Sequence, residues 1–127
     1  MSEYEYYLEV ARAVKEAYDT LKRHGIQVPE QVNLVFGRLP SVCGWFFSKE
    51  EQIVVSLKDA HCNPVVTLLH EIRHYQQRKA GWDFKKERHK AWIERSHETD
   101  AEYWSRENLK LVSEPFRKVL EVMRRLE

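Results

Sequence analysis

The chain reads as an α+β domain on three observations. Apolar residues recur at steps of three and four over the first two dozen positions, and again from position 64 onward. Between these stretches, residues 31–57 change to a two-residue alternation rich in β-branched and aromatic side chains. The few Gly and Pro residues, four of each, stand mostly at the joints. The expected order is a helix, three strands in a meander, then three helices. With 127 residues and 43% hydrophobic content there is material for one core, so residues 1–127 are read as a single domain.

Residues 3–24 predict a first helix. Tyr4, Tyr7, Ala11, Val14, Tyr18 and Leu21 would form its buried stripe, and His24-Gly25 would close it. Val32, Leu34 and Phe36 alternate with Gln31, Asn33 and Val35, as in a half-buried strand. Gly37 to Ser41 is turn material. Residues 42–47 and 52–57 then form a hairpin across the polar stretch Ser48-Lys49-Glu50-Glu51. Asn63 is an N-cap and Pro64 suits the first helical position. Val65, Leu68, Leu69 and Ile72 make the apolar stripe of the helix that follows, and Gly81 is its stop. A longer helix is expected over 86–112. Pro115 breaks or kinks it, and Ser113 caps a last helix carrying Phe116, Val119, Leu120 and Met123.

Composition excludes several function classes. Lys and Arg number 21 against 20 Asp and Glu, so the net charge of +1 leaves no footprint for nucleic acid or an anionic membrane. No apolar run reaches membrane-spanning length, and the acidic start Met1-Ser2-Glu3-Tyr4-Glu5 is unlike a secretory signal. A cytoplasmic protein is expected. Cys43 and Cys62 lie 19 apart without a CxxC pair, and reduced thiols are the expectation. The 32% of charged residues hints at a surface rich in ion pairs.

One segment carries chemistry. His70-Glu71-Ile72-Arg73-His74 is an H-E-x-x-H motif on the helix begun by Pro64. Residues four apart share one helix face, about 6 Å apart along the axis, so both imidazoles can reach one ion at about 2.0–2.1 Å. Glu71 lies about 100° around the helix, beside the ion, where it can take a proton from a water held there. A catalytic zinc needs a third protein ligand and an open position. Gln77 and Ala80 occupy the places where an extended motif would carry Gly and His, which excludes that arrangement. Glu98, in Glu98-Thr99-Asp100-Ala101-Glu102, is the expected third ligand, with His97 and Asp100 as competitors. Ala101 would let the two helices approach, and Glu102 could accept the second N–H of a zinc-bound histidine.

These two motifs resemble the gluzincin metallopeptidases, and the shortness of the chain is similar to the minigluzincins. The resemblance implies a Zn2+-dependent endopeptidase with His70, His74 and Glu98 as ligands and Glu71 as base. It also implies an edge strand, 42–47 or the strand after it, that pairs with an extended peptide or unfolded protein substrate. Latency is part of the resemblance. Residues 115–127 are then either an inhibitory tail or, as packing favours, a core helix. A homo-oligomer is compatible with the pattern.

Other residues invite bland readings. Trp45, Phe46 and Phe47 put one aromatic face into the core and another toward a cleft or a second copy. Cys43 is expected to be inert rather than a fourth metal ligand. Arg73 is expected to pair with an acid, and the basic run 85–90 to be a solvated helix start. Tyr103, His61, His89 and Arg95 are chemically able to stabilise an oxyanion, and sequence does not choose among them. Two non-enzymatic readings stand beside the peptidase: a zinc ion that only staples two helices, and a metal-free interaction domain.

Overall fold

Helix α1, Glu3–Arg23, begins at Ser2, whose hydroxyl accepts from the Glu5 amide, and ends at His24 before Gly25, which has a φ of +79°. Its buried face is Tyr6, Val10, Ala13, Val14, Ala17 and Leu21. The expected stripe shares only Val14 and Leu21 with it, and Tyr4 is 74% exposed. The reason lies in the tyrosines. Tyr6 donates its hydroxyl to Leu57 O across the core, whereas the Tyr7 and Tyr18 hydroxyls seek partners at the rim. The small side chains of Ala13 and Ala17 take the interior instead.

The protein is described here by a computed structural model covering residues 1–36, 43–57 and 62–126. Strands β1 (Val32–Val35), β2 (Gly44–Phe47) and β3 (Gln52–Ser56) make one mixed sheet in the order β1-β3-β2. The expected hairpin is present: β2 runs antiparallel to β3, with Gly44 opposite Val55 and Phe47 opposite Gln52. The expected meander is not. β1 lies parallel to β3, Val32 opposite Ile53, so the chain crosses over and leaves β2 on an edge. Phe36 falls outside β1 and is exposed. The proposed turn at 37–41, Val42 and His61 lie outside the described residues.

Helix α2, Pro64–Lys79, is capped by Asn63 Oδ1 on the Val65 amide (3.0 Å) and stops before Gly81, with a φ of +87°. Its apolar side, Val65, Leu68, Leu69 and Ile72, is fully buried together with Ile53 and Val55 of the sheet. Strand β2 comes very close to α2. A Cβ added to Gly44 would sit 2.5 Å from Thr67 Cγ2, 2.8 Å from Val54 O and 3.4 Å from Glu71 Cγ. Glycine at this point therefore sets how near the edge strand stands to the H-E-x-x-H motif.

The single helix expected over 86–112 is replaced by turns through residues 84–89, a 3-10 turn at Trp92–Glu94, helix α3 at Ser96–Asn108 and a second 3-10 turn at Leu109–Val112. Glu87 explains the late start. Its carboxylate accepts from the Ser96 amide (2.8 Å) and hydroxyl (2.9 Å), serving the N-terminus of α3 from nine residues upstream. The basic run 85–90 is thus a solvated turn rather than a helix start. Helix α4, Ser113–Leu126, buries Val119 and Val122 and lies antiparallel on α1, with ion pairs Lys118–Glu16 and Arg125–Glu9 at 3.0 Å each. Among the described residues no helix is long and apolar enough to cross a membrane.

Cys43 and Cys62 are joined in a disulfide, with Cα atoms 6.2 Å apart. This corrects the expectation of two reduced thiols and an inert Cys43. The cysteines are remote in sequence, but the β2–β3 hairpin folds the chain back so that the entrance to β2 meets the start of α2. That Cα separation is ordinary for a disulfide. Closing a loop of this length reduces the freedom of the unfolded chain by about 3 kcal/mol. Replacing both cysteines by serine should lower the unfolding free energy by up to about that amount, measured in urea without reductant. Unchanged stability would mean that the cross-link constrains nothing.

A second expectation concerns the strand–helix contact. Gly44→Ala should destabilise by about 1–3 kcal/mol through overpacking, and a further Thr67→Ser should recover part of the loss. Urea titration of the single and double variants would check both.

Candidate metal centre

The site is built at the crossing of α2 and α3. On α2, His70 and His74 stand one turn apart on the face turned away from Leu68, Leu69 and Ile72. Ala101 on α3 is fully buried, and its small side chain lets α3 close upon α2. One turn earlier on α3, Glu98 reaches across. Its Oε2 is 3.1 Å from His70 Nε2 and its Oε1 is 2.7 Å from His74 Nε2. Glu98 and His74 are buried, and His70 is partly so.

Atoms able to bind a metal from His70, Glu71 and His74 all lie within 4.8 Å of one another, close enough to hold an ion. The two Nε2 atoms and the Glu98 oxygens also converge. Ligand atoms around a tetrahedral ion with bonds of about 2.0–2.1 Å stand roughly 3.3 Å apart. The Glu98 oxygens, 3.1 Å from His70 Nε2 and 2.7 Å from His74 Nε2, stand near that separation. The residues present fit a metal.

The two imidazoles are supported from behind unequally. His74 Nδ1 is 2.8 Å from Gln77 Oε1, within the protein. His70 Nδ1 is 3.7 Å from Glu102 Oε2, a longer approach to a half-exposed carboxylate, and the indole of Trp92 stacks on the same ring at 6.2 Å between centroids. Gln77 donates in turn to Asp100 Oδ2 (2.8 Å) and to His97 O (2.9 Å). Asp100 accepts from Arg73 Nε at 2.7 Å. Arg73 therefore pairs with an acid as expected, and Asp100 points to Gln77 and Arg73 rather than joining the ligand group. His97 lies at the margin, its Nε2 3.7 Å from Glu98 Oε1. Gln77 was missed by sequence reasoning, although its spacing to His74 and His70 puts it on their face.

Burial and charge act against each other here. Burial raises the Glu98 carboxyl, but hydrogen bonds from His70 and His74 and the charges of both imidazoles outweigh it, bringing the pKa down to about 2. Burial depresses His74, yet Glu98, Glu71 and Gln77 together raise it. Glu71 shows the opposite balance. Burial raises its carboxyl to about 7, and the two histidines only partly offset that. Glu71 also lines the cavity above the site. A carboxyl balanced near neutrality can both take and give a proton.

A cavity of about 990 Å³ opens above this group. One wall is β2 with Trp45, Phe46 and Phe47, and the other is α2 with Trp92 and α3. Phe46 turns inward against Tyr75 and Phe84, while Trp45 and Phe47 are about half exposed. Cys43 and Cys62 close one end of the cavity. Of the oxyanion candidates among the described residues only Arg95 lines it, and its guanidinium donates to the carbonyls of Arg88 and Lys90. His89 and Tyr103 are outside the lining, as is all of α4.

Comparison with family models, curated proteins and solved structures gives no match.

Glu71 makes stability depend on pH in the metal-free protein. Its folded pKa lies above its unfolded value of 4.5, so the folded state binds the proton more tightly. Stability from this group is fully present below pH 4.5 and falls as pH rises to about 7, by about 3 kcal/mol. Glu71→Gln, stripped of metal, should therefore be more stable than wild type at pH 8 and nearly equal at pH 4. Urea unfolding at the two pH values measures the difference, and equal gaps at both would contradict the burial argument.

Proposed function

We propose that the chain is a zinc-dependent endopeptidase of gluzincin type. The observation that carries this reading is the convergence of His70 Nε2 and His74 Nε2 on the Glu98 carboxylate, with Glu71 beside them. His70, His74 and Glu98 would hold the ion. When bound, it supplies a Lewis acid that polarises a carbonyl and acidifies a water. Glu71 takes the proton of the attacking water and delivers it to the departing amine nitrogen. Its position suits both transfers, because it flanks the two histidines and lines the cavity.

Substrate would lie along β2. The strand order places that strand at the edge of the sheet formed by the described residues, and the same strand walls the cavity. An extended peptide can add there as a further strand by main-chain hydrogen bonds. Aromatic side chains line the cavity, so bulky apolar side chains would be accepted along it. The absence of α4 residues from that lining leaves the cavity open to such a peptide.

The first test is zinc content. Wild type should carry about one zinc per chain, and His70→Ala and Glu98→Ala should lose it. With peptide-library substrates, Glu71→Gln should keep the zinc and lose activity by about 10²–10⁴-fold. Zinc uptake with no hydrolysis, and with Glu71→Gln indistinguishable from wild type, would favour a structural staple. No uptake even in excess zinc would remove the metal reading.

A further inference from the structure

We propose that Gln77 is a positioning residue that fixes the tautomer and aim of His74; this rests on the metal reading above. Gln77 is 1% exposed, and both ends of its amide are committed. Its nitrogen faces two acceptors, the His97 carbonyl at 2.9 Å and Asp100 Oδ2 at 2.8 Å. Neither can donate in return: one is a peptide oxygen, and the other belongs to a carboxylate paired with Arg73. Rotating the amide by 180° would set its oxygen against both. The side chain therefore has one orientation, with Oε1 toward His74.

It follows that His74 Nδ1, 2.8 Å from that oxygen, carries a hydrogen and donates it. The remaining nitrogen, Nε2, is the one directed at Glu98 and the ion position. Asp100 is itself held in place. Arg73 bonds Asp100 through Nε (2.7 Å) and Nη2 (3.3 Å), and through Nη1 it holds Gln76 (2.9 Å), whose amide reaches Gln27 O (2.9 Å). His70 has no comparable support. Among the described residues its Nδ1 has Glu102 nearby, at 3.7 Å, beyond hydrogen-bond distance. The two histidines of one motif are thus held by very different means, and the buried amide dominates.

The experiment compares zinc affinity, by competition with a chromophoric chelator, in wild type, Gln77→Leu, Gln77→Met and Glu102→Ala. Methionine keeps the length of the glutamine side chain and removes its hydrogen bonds. Long-range ¹H–¹⁵N spectra of the zinc-loaded proteins report whether the His74 Nδ1 hydrogen is present and slow to exchange. Gln77→Leu and Gln77→Met should each weaken zinc about 10–100-fold and lose the protected Nδ1 hydrogen, and Glu102→Ala should do much less. Wild-type affinity and spectrum in folded Gln77→Leu would overturn the proposal and leave the metal reading intact. If Gln77→Leu fails to fold, wild-type affinity and spectrum in a folded Gln77→Met overturn it equally. Failure of wild type itself to bind zinc would overturn both together.

Discussion

Everything at the candidate site depends on one carboxylate being drawn between two imidazoles. Glu98 sits on α3, and its partners are on α2, so the three groups meet only if the helices cross closely. Ala101 permits that approach, and the Glu87 cap determines where α3 begins and hence which residue faces α2. Charges so buried are costly unless paired. Here nearly every one has its partner: Glu98 with two histidines, Asp100 with Arg73 and Gln77. Glu71 differs: burial raises its carboxyl to about 7 and it lines the cavity, and a carboxyl so perturbed in a cleft is a usual mark of a functional place.

The sheet supplies the other half of the arrangement. Because β1 pairs with β3, β2 is left at the margin and Gly44 can press against α2. An edge strand of this kind invites pairing with other chains. Its outward aromatics, Trp45 and Phe47, add apolar surface to that invitation, while the disulfide at its entrance ties it back to the start of α2.

Local features were legible from sequence and long-range ones were not. The H-E-x-x-H face, the Asn63-Pro64 start and the Gly25 and Gly81 stops follow from helical geometry within a few residues, and all are found. The β2–β3 hairpin belongs to the same class. Glu98 could be singled out because two histidines already called for a third partner at a distance that a helix pair can span. The parallel pairing of β1 was hidden, since alternation says which side chains are buried and nothing about strand direction. The start of α3 was hidden because its cap comes from Glu87, a residue that reads as one charge among many. The disulfide likewise needed the fold to bring two distant cysteines together. Gln77 carried only a faint signal. A glutamine on a helix usually faces water, and its sharing of a face with His70 and His74 acquires meaning once α3 lies over it.

The antiparallel pairing of α1 and α4 brings Glu9 beside Arg125 and Glu16 beside Lys118, so the two ends of the described chain emerge close together. Neither helix contributes to the cavity wall. A tether, fluorophore or fused domain attached at either end would therefore leave the mouth of the cavity unobstructed. Two different attachments would also be held near each other, which makes the molecule a natural insert between the halves of a split reporter.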